Sequence, residues 1–263
     1  MDAADGIVGR MPVLQAHRLV KRYASTVAVA GVSLEVEAAE RVALLGPNGA
    51  GKTTTLMMLL GVITPDDGWV EVSGHRLPRG RSEALAQVGF SAGYMPLAER
   101  LKVHEFLRTY GELYGLRHTS QRIQQGLERF RIGHLAETMC TQLSSGQRTL
   151  VGMVKATLHR PRLLVLDEPT ASLDPDVAQR VRLGLQELCR EEETALLITS
   201  HNMVEIERLC ERVVFLSSGR VVADDEPAAI AARYGHQDLE ETFLFLASQS
   251  GREPAPQETD RLP

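Results

Sequence analysis

Residues 41–53 read Arg41-Val42-Ala43-Leu44-Leu45-Gly46-Pro47-Asn48-Gly49-Ala50-Gly51-Lys52-Thr53. The first five form a short apolar run, which reads as a buried strand ending at a glycine-rich turn. From Lys52 to Leu60 the pattern reads as a helix. Gly46 to Thr53 matches G-x-x-x-x-G-K-[ST] in the setting that motif requires, after a strand and before a helix. The chemistry follows from the residue types. Glycines let backbone N–H groups turn inward around phosphate oxygens. The helix start adds a partial positive charge. Lys52 supplies a full charge to β- and γ-phosphates, and Thr53 offers a hydroxyl to Mg²⁺. The plain alternative is a glycine turn that only caps a helix, and the strand–loop–helix order argues against it.

A second chemical feature lies further on. Leu163-Leu164-Val165-Leu166-Asp167-Glu168 is an apolar strand ending in two acids. Asp167, at the strand end, can hold a Mg²⁺ shell. Glu168 can reach the water that attacks a γ-phosphate and act as its general base. Taken alone, two acids at a strand end are often just solvated. Beside a phosphate loop they read as a hydrolytic pair.

Around these features the chain alternates strands and helices, the mark of a layered α/β domain. Val32 to Glu37 alternates as a half-exposed strand. Asp66-Asp67-Gly68 reads as a turn before a strand over Trp69 to Val72. Residues from about Met95 to His159 are mostly helical in pattern, with Val103 to Tyr114 as an example. Pro175 to Glu191 reads as a helix with proline at its start. Ala195 to Thr199 is a third buried strand. Val213 to Leu216 and Arg220 to Ala223 are short strands joined at Ser218-Gly219. Glu226 to Tyr234 and Asp238 to Phe245 read as amphipathic helices. No internal repeat or heptad run is visible.

The 263 residues are 43% hydrophobic and 24% charged, with a formal net charge of −5. That balance excludes a mostly disordered chain and argues against a basic nucleic-acid footprint. No stretch reaches about 18 consecutive apolar residues. The first ten residues carry early acids and no apolar centre, so they do not read as a secretory signal. Met11 is a possible alternative start. Cys140, Cys189 and Cys210 lack CxxC spacing and read as small buried hydrophobes in a reducing compartment. Apart from His201, the histidines read as surface residues.

Leu143-Ser144-Ser145-Gly146-Gln147 is a further Ser/Gly turn that opens a helix. One nucleotide needs only one phosphate nest, so a second nest suggests a partner. With this stretch just before the Asp167-Glu168 strand, the sequence resembles the ATP-binding subunits of ABC transporters. Leu143 to Gln147 resembles that family's LSGGQ signature, with Ser145 where glycine is usual. The plain reading is an N-capped helix start. Tyr23, in Lys21-Arg22-Tyr23, falls where the family places an aromatic under adenine. Ser172-Leu173-Asp174 matches the loop that couples two sites across a dimer. Ser200-His201 matches the switch histidine that contacts the γ-phosphate. The resemblance covers roughly Leu14 to Ala247.

It implies an α/β fold: a P-loop NTPase core of the ABC type, with a β-subdomain and an inserted helical subdomain. The expected layout is an N-terminal extension over 1–11, an ATPase domain over 12–248 with the helical part at about 93–158, and a polar tail over 249–263. It implies ATP and Mg²⁺ as ligands. The nucleotide-contacting set would be Tyr23, Gly46, Pro47, Asn48, Gly49, Ala50, Gly51, Lys52, Thr53 and Thr54. Ser144, Ser145, Gly146, Gln147 and Asp174 would contribute from the opposing subunit. Thr53 and Asp167 would hold the metal, while Glu168, His201 and Lys52 would act in hydrolysis. The implied partners are an integral membrane permease and a second ATP-binding subunit, identical or different, with the chain peripheral on the cytoplasmic face of the cell membrane. No nucleic acid is expected.

One motif departs from the family. The usual glutamine after the strand around Val88 to Ala92 is replaced by Gly93. Three readings stand: a water or a nearby side chain such as Ser91 or Glu99 substitutes; hydrolysis is slow; or the partner subunit keeps the glutamine. Asp238-Leu239-Glu240-Glu241-Thr242-Phe243-Leu244 resembles an ending common in exporter-type subunits for drugs, lipids or polysaccharides. The expected activity is therefore an ATPase that powers export. The alternatives are a nearly inactive regulatory subunit of an asymmetric pair and a soluble ABC ATPase outside transport.

Overall fold

The computed structural model describes residues 12–92, 96–171 and 173–249. The 1–11 extension, Gly93, Ser172 and the tail beyond Gln249 lie outside the described residues. The elements, in chain order, begin with β1 (Pro12–Tyr23), β2 (Thr26–Glu37), β3 (Arg41–Leu45), α1 (Lys52–Leu59), β4 (Asp67–Val72) and β5 (His75–Arg76). Then come α2 (Arg81–Leu85), β6 (Val88–Ala92), α3 (Val103–Leu113), α4 (Thr119–Arg129), α5 (Ser145–Thr157) and β7 (Leu163–Asp167). The chain continues through α6 (Pro175–Glu192), β8 (Ala195–Thr199), α7 (Met203–Leu209), β9 (Arg212–Ser217), β10 (Arg220–Asp225), α8 (Pro227–Tyr234) and α9 (Leu239–Gln249).

Among the described residues the strands form two sheets. One is antiparallel, in the order β2-β1-β4-β5. The other runs β10-β9-β3-β8-β7-β6, parallel from β9 to β6 with β10 antiparallel at the edge. Side chains alternate faces along a strand, and this divides the core in two. Val42, Leu44, Val165, Leu197 and Val214 face a cluster with the antiparallel sheet and α1. Ala43, Leu45, Leu164, Leu166, Ile198 and Phe215 face the helical side. Both faces of the parallel strands are covered, which is why β3, β7 and β8 read as unbroken apolar runs.

Small residues let the helices approach. A Cβ on Gly126 would come 2.7 Å from Val154, and one on Gly184 would come 2.7 Å from the Phe130 ring. Phe130 is fully buried. Truncating a phenylalanine in such a place costs about 3–5 kcal/mol.

Several local expectations need correction. The strand β1 lies in a stretch for which the sequence reading named no element, and its pairing with β2 shifts register at several points. β2 starts at Thr26, well before Val32. Asp67 and Gly68 already belong to β4, while Asp66 is tied to Lys21 at 2.8 Å and to the Arg22 amide at 2.7 Å. Gln249 is still helical. The three cysteines are buried, and burial pushes the Cys189 thiol up to about 11.

His159 is not a surface residue. Its ring stacks on Tyr114, with centroids 4.3 Å apart. Nε2 donates to the Val88 carbonyl at 3.1 Å, and the buried Nδ1 has no partner among the described residues. Burial holds the imidazole below its ordinary value, helped by the nearby Arg122 and Lys155 charges and opposed by the Val88 bond. The unfolded chain therefore takes up this proton first as pH falls. The stability contribution is complete above about pH 6.5 and is lost below it. Thermal melts at about pH 7.5 and about pH 5.5 should show an acid loss that shrinks in His159→Gln. An equal loss in both proteins would contradict this.

Candidate functional site

The parallel strands deliver their carboxyl ends to one edge, where ligands bind in open α/β sheets. β3 leads into the glycine loop, β7 into Glu168 and β8 into Ser200-His201. Because β3 neighbours β8 and β8 neighbours β7, three distant stretches of sequence become adjacent.

The loop needs glycine at two positions for physical reasons. Gly46 has φ +146, and a Cβ there would lie 2.2 Å from the Leu216 carbonyl oxygen. Gly51 caps α1 with φ +98, and its Cβ would lie 2.5 Å from the Ala28 oxygen on β2. The loop is thus gripped between β9 and β2. The Ser218-Gly219 turn reinforces the grip. The Gly219 amide donates to Ala50 at 3.0 Å, and its carbonyl accepts from Ala30 at 2.8 Å. Tyr23, 48% exposed, ends β1 on the same hairpin that touches Gly51. The exposed ring leaves a face on which a planar base could stack.

Lys52 donates from Nζ to the carbonyls of Gly46 at 2.6 Å and Pro47 at 3.1 Å. Burial lowers its pKa, and the charges of Glu168 and Asp167 oppose that shift. The lysine is therefore a partly desolvated cation, and a phosphate would compensate it more fully than two neutral carbonyls.

Glu168 has φ +51, unusual for a residue with a Cβ. Its Oε1 lies 3.1 Å from His201 Nε2, and its Oε2 accepts the His201 amide at 3.2 Å. Asp167 Oδ1 accepts from the Thr199 hydroxyl at 2.6 Å. Among the described residues no group of three or more His, Cys, Asp or Glu side chains could hold a metal. Thr53 and Asp167 are hard oxygen donors. Such a sparse set fits Mg²⁺, which keeps waters and binds mainly through substrate phosphates.

Ser144 to Gln147 forms a capping box at the start of α5. The Ser144 hydroxyl accepts the Gln147 amide at 3.2 Å, and the Gln147 side chain accepts the Ser144 amide at 2.9 Å. Gly146 lies beside Val177 and Leu173, so this turn packs against the segment that carries Asp174. Asp174 is the N-cap residue of α6, with Pro175 following. Ser91 is 1% exposed and faces Gly152 on α5. Its hydroxyl is turned toward the helical side and away from solvent. Sequence reasoning did not single out Thr199 or Gly219. Both bond to partners distant in sequence.

A family described as "ABC transporter" matches residues 29–171. The chain belongs to the ATP-binding subunits of ABC transporters. This ABC subunit is an ATPase. It is similar to Nod factor export ATP-binding protein I of Paraburkholderia xenovorans strain LB400, with 35% identity over 228 residues, 86% of this chain and 75% of that one. It is also similar to linearmycin resistance ATP-binding protein LnrL of Bacillus subtilis strain 168, with 31% identity, 85% of this chain and 72% of that one. A solved ATP-binding subunit of an ABC transporter superposes with TM-score 0.80 at 29% identity, over 89% of this chain and 99% of the other. The cbiO1 subunit from Clostridium perfringens shares the fold, with TM-score 0.77 at 24% identity, over 91% of this chain and 97% of the other. Among the described residues of the ABC subunit, no helix is long and apolar enough to cross a membrane.

Proposed function

We propose that this ABC subunit drives export through a separate membrane permease, hydrolysing ATP between two subunits arranged head to tail. The observation that carries the reading is the meeting of Lys52, Asp167, Glu168 and His201 at one sheet edge. A second Ser/Gly helix start, Ser144 to Gly146, caps α5.

In this reading Gly46 to Thr54 cradle the phosphates and Tyr23 stacks on adenine. Thr53 and Asp167 hold Mg²⁺, which supplies charge neutralisation to the phosphates when bound. Glu168 takes the proton of the attacking water as the oxygen–phosphorus bond forms and the bond to the β-phosphate oxygen breaks. His201 holds the Glu168 carboxylate and the γ-phosphate region together. Ser144, Ser145, Gly146, Gln147 and Asp174 close over the nucleotide of the partner subunit. ATP then favours the closed pair and hydrolysis releases it, a ligand-biased two-state change.

Export is supported by the names of the relatives, one a Nod factor exporter and one a linearmycin resistance protein. The substrate class would be a drug, lipid or polysaccharide. The Asp238 to Leu244 ending supports the same reading. Asp238 caps α9 through the Glu241 amide at 2.9 Å, and Phe243 meets Phe215 of the core edge-on at 5.6 Å. Where it acts, the subunit would be peripheral, on the cytoplasmic membrane face.

The test is affinity purification of the tagged chain from detergent-solubilised membranes of its native cell. A co-purifying multi-spanning protein is the expected result. Ribosomal or DNA-bound partners, with no membrane protein, would overturn the transport reading.

A further inference from the structure

Thr199 ends β8 and is 1% exposed. Its hydroxyl lies between the two acids. It donates to Asp167 Oδ1 at 2.6 Å and accepts the Glu168 amide at 3.1 Å. The same amide also reaches the Thr199 carbonyl at 3.1 Å. An amide can only donate, so the hydroxyl oxygen must accept from it, and the hydroxyl proton is free to point at the carboxylate. The direction of the bond is therefore set by the backbone. A carboxylate accepting such a bond has one oxygen fixed and the other aimed.

Glu168 gains from the same contact. Its left-handed backbone, φ +51, is one that side-chain-bearing residues seldom adopt. It persists only where surrounding bonds over-determine it. Here the Thr199 carbonyl and hydroxyl hold the amide, while His201, two residues beyond Thr199, holds the carboxylate through its own amide and ring. The end of β8 thus grips Glu168 at both backbone and side chain, and grips Asp167 through one hydroxyl.

We propose that Thr199 is a positioning residue for ATP hydrolysis, orienting the Asp167 carboxylate toward the metal and fixing the Glu168 backbone with a single hydroxyl. The inference rests on the reading of Asp167 and Glu168 given above. It assigns Thr199 no contact with nucleotide. Its action passes through the two acids, as outer partners of metal ligands act.

The experiment compares Thr199→Val, which keeps the shape and loses the hydroxyl, with Thr199→Ser, which keeps the hydroxyl. Steady-state ATPase kinetics, thermal melts and Mn²⁺ binding by electron paramagnetic resonance in the presence of ATP are measured on the full chain. In Thr199→Val, kcat should fall and the half-saturating Mn²⁺ concentration should rise, each by about 10–100-fold. KM for ATP should hold, because the phosphate loop is untouched. Thr199→Ser should recover most of both losses. If Thr199→Val does not fold, Thr199→Ser is compared with Thr199→Ala, which match in lacking the methyl group. Wild-type kcat and Mn²⁺ binding in Thr199→Val, or a serine variant no better than alanine, would overturn the proposal. Glu168→Gln is assayed alongside. If it hydrolyses ATP normally, the hydrolytic site itself is misassigned. If it is inactive while Thr199→Val is not, only the role of Thr199 falls.

Discussion

Glu168→Gln should reduce ATP turnover by about 10²–10⁴-fold, the usual contribution of a positioned general base. The amide has nearly the carboxylate's shape and can still meet the His201 amide through its oxygen. What it loses is the capacity to take a proton from water. Nucleotide binding should persist, because Lys52 and the glycine loop are unchanged. Phosphate release from the purified variant, beside equilibrium binding of ATP, separates the two effects. Turnover within a few-fold of wild type would mean that another group supplies the base.

Lys52→Ala should act at the other step. A hydrogen bond to a charged group is worth about 1.5–3 kcal/mol, so ATP affinity should drop about 10–100-fold. Stability should not drop with it. Burial lowers the pKa of Lys52, so the folded protein holds this proton less well than the unfolded chain does. Removing a partly desolvated cation that bonds only loop carbonyls removes a cost of folding. The nucleotide-free variant should melt no lower than wild type. Weak binding together with a much lower melting temperature would show that Lys52 is a structural residue instead. A functional site that costs stability is a common arrangement.

The two halves of the site differed in how legible they were. The glycine loop was readable because its requirements are local. Gly46, Gly51, Lys52 and Thr53 lie within eight residues and need only a strand before them and a helix after. β7 and β8 were readable because strands covered on both faces are apolar throughout. β1 was not, because its register shifts against β2 blur the alternation. His159 was misread because its burial comes from Tyr114 at the C-terminal cap of α3 and Val88 on β6, neither near it in sequence. Thr199 is a plain strand threonine until β7 lies beside β8. Its link to Asp167 spans 32 positions, and no spacing rule connects them. The unusual backbone of Glu168 was equally hidden, since nothing in Asp167-Glu168-Pro169 demands a positive φ.

Ser144 to Gly146 stands apart in a different way. In the sequence its duplication of a phosphate nest pointed to a partner. In the structure its capping bonds are local, and its neighbours are Leu173, just before α6, and Val177 in the first turn of α6. In the proposed reading, the Ser144 nest completes a site when another subunit brings a nucleotide to it. Head-to-tail closure on ATP is the central claim, and sedimentation of Glu168→Gln tests it most directly. With Mg²⁺ and saturating ATP the variant should sediment as a dimer, and with ADP or without nucleotide as a monomer. A variant that binds ATP, fails to hydrolyse it and stays monomeric would contradict the claim.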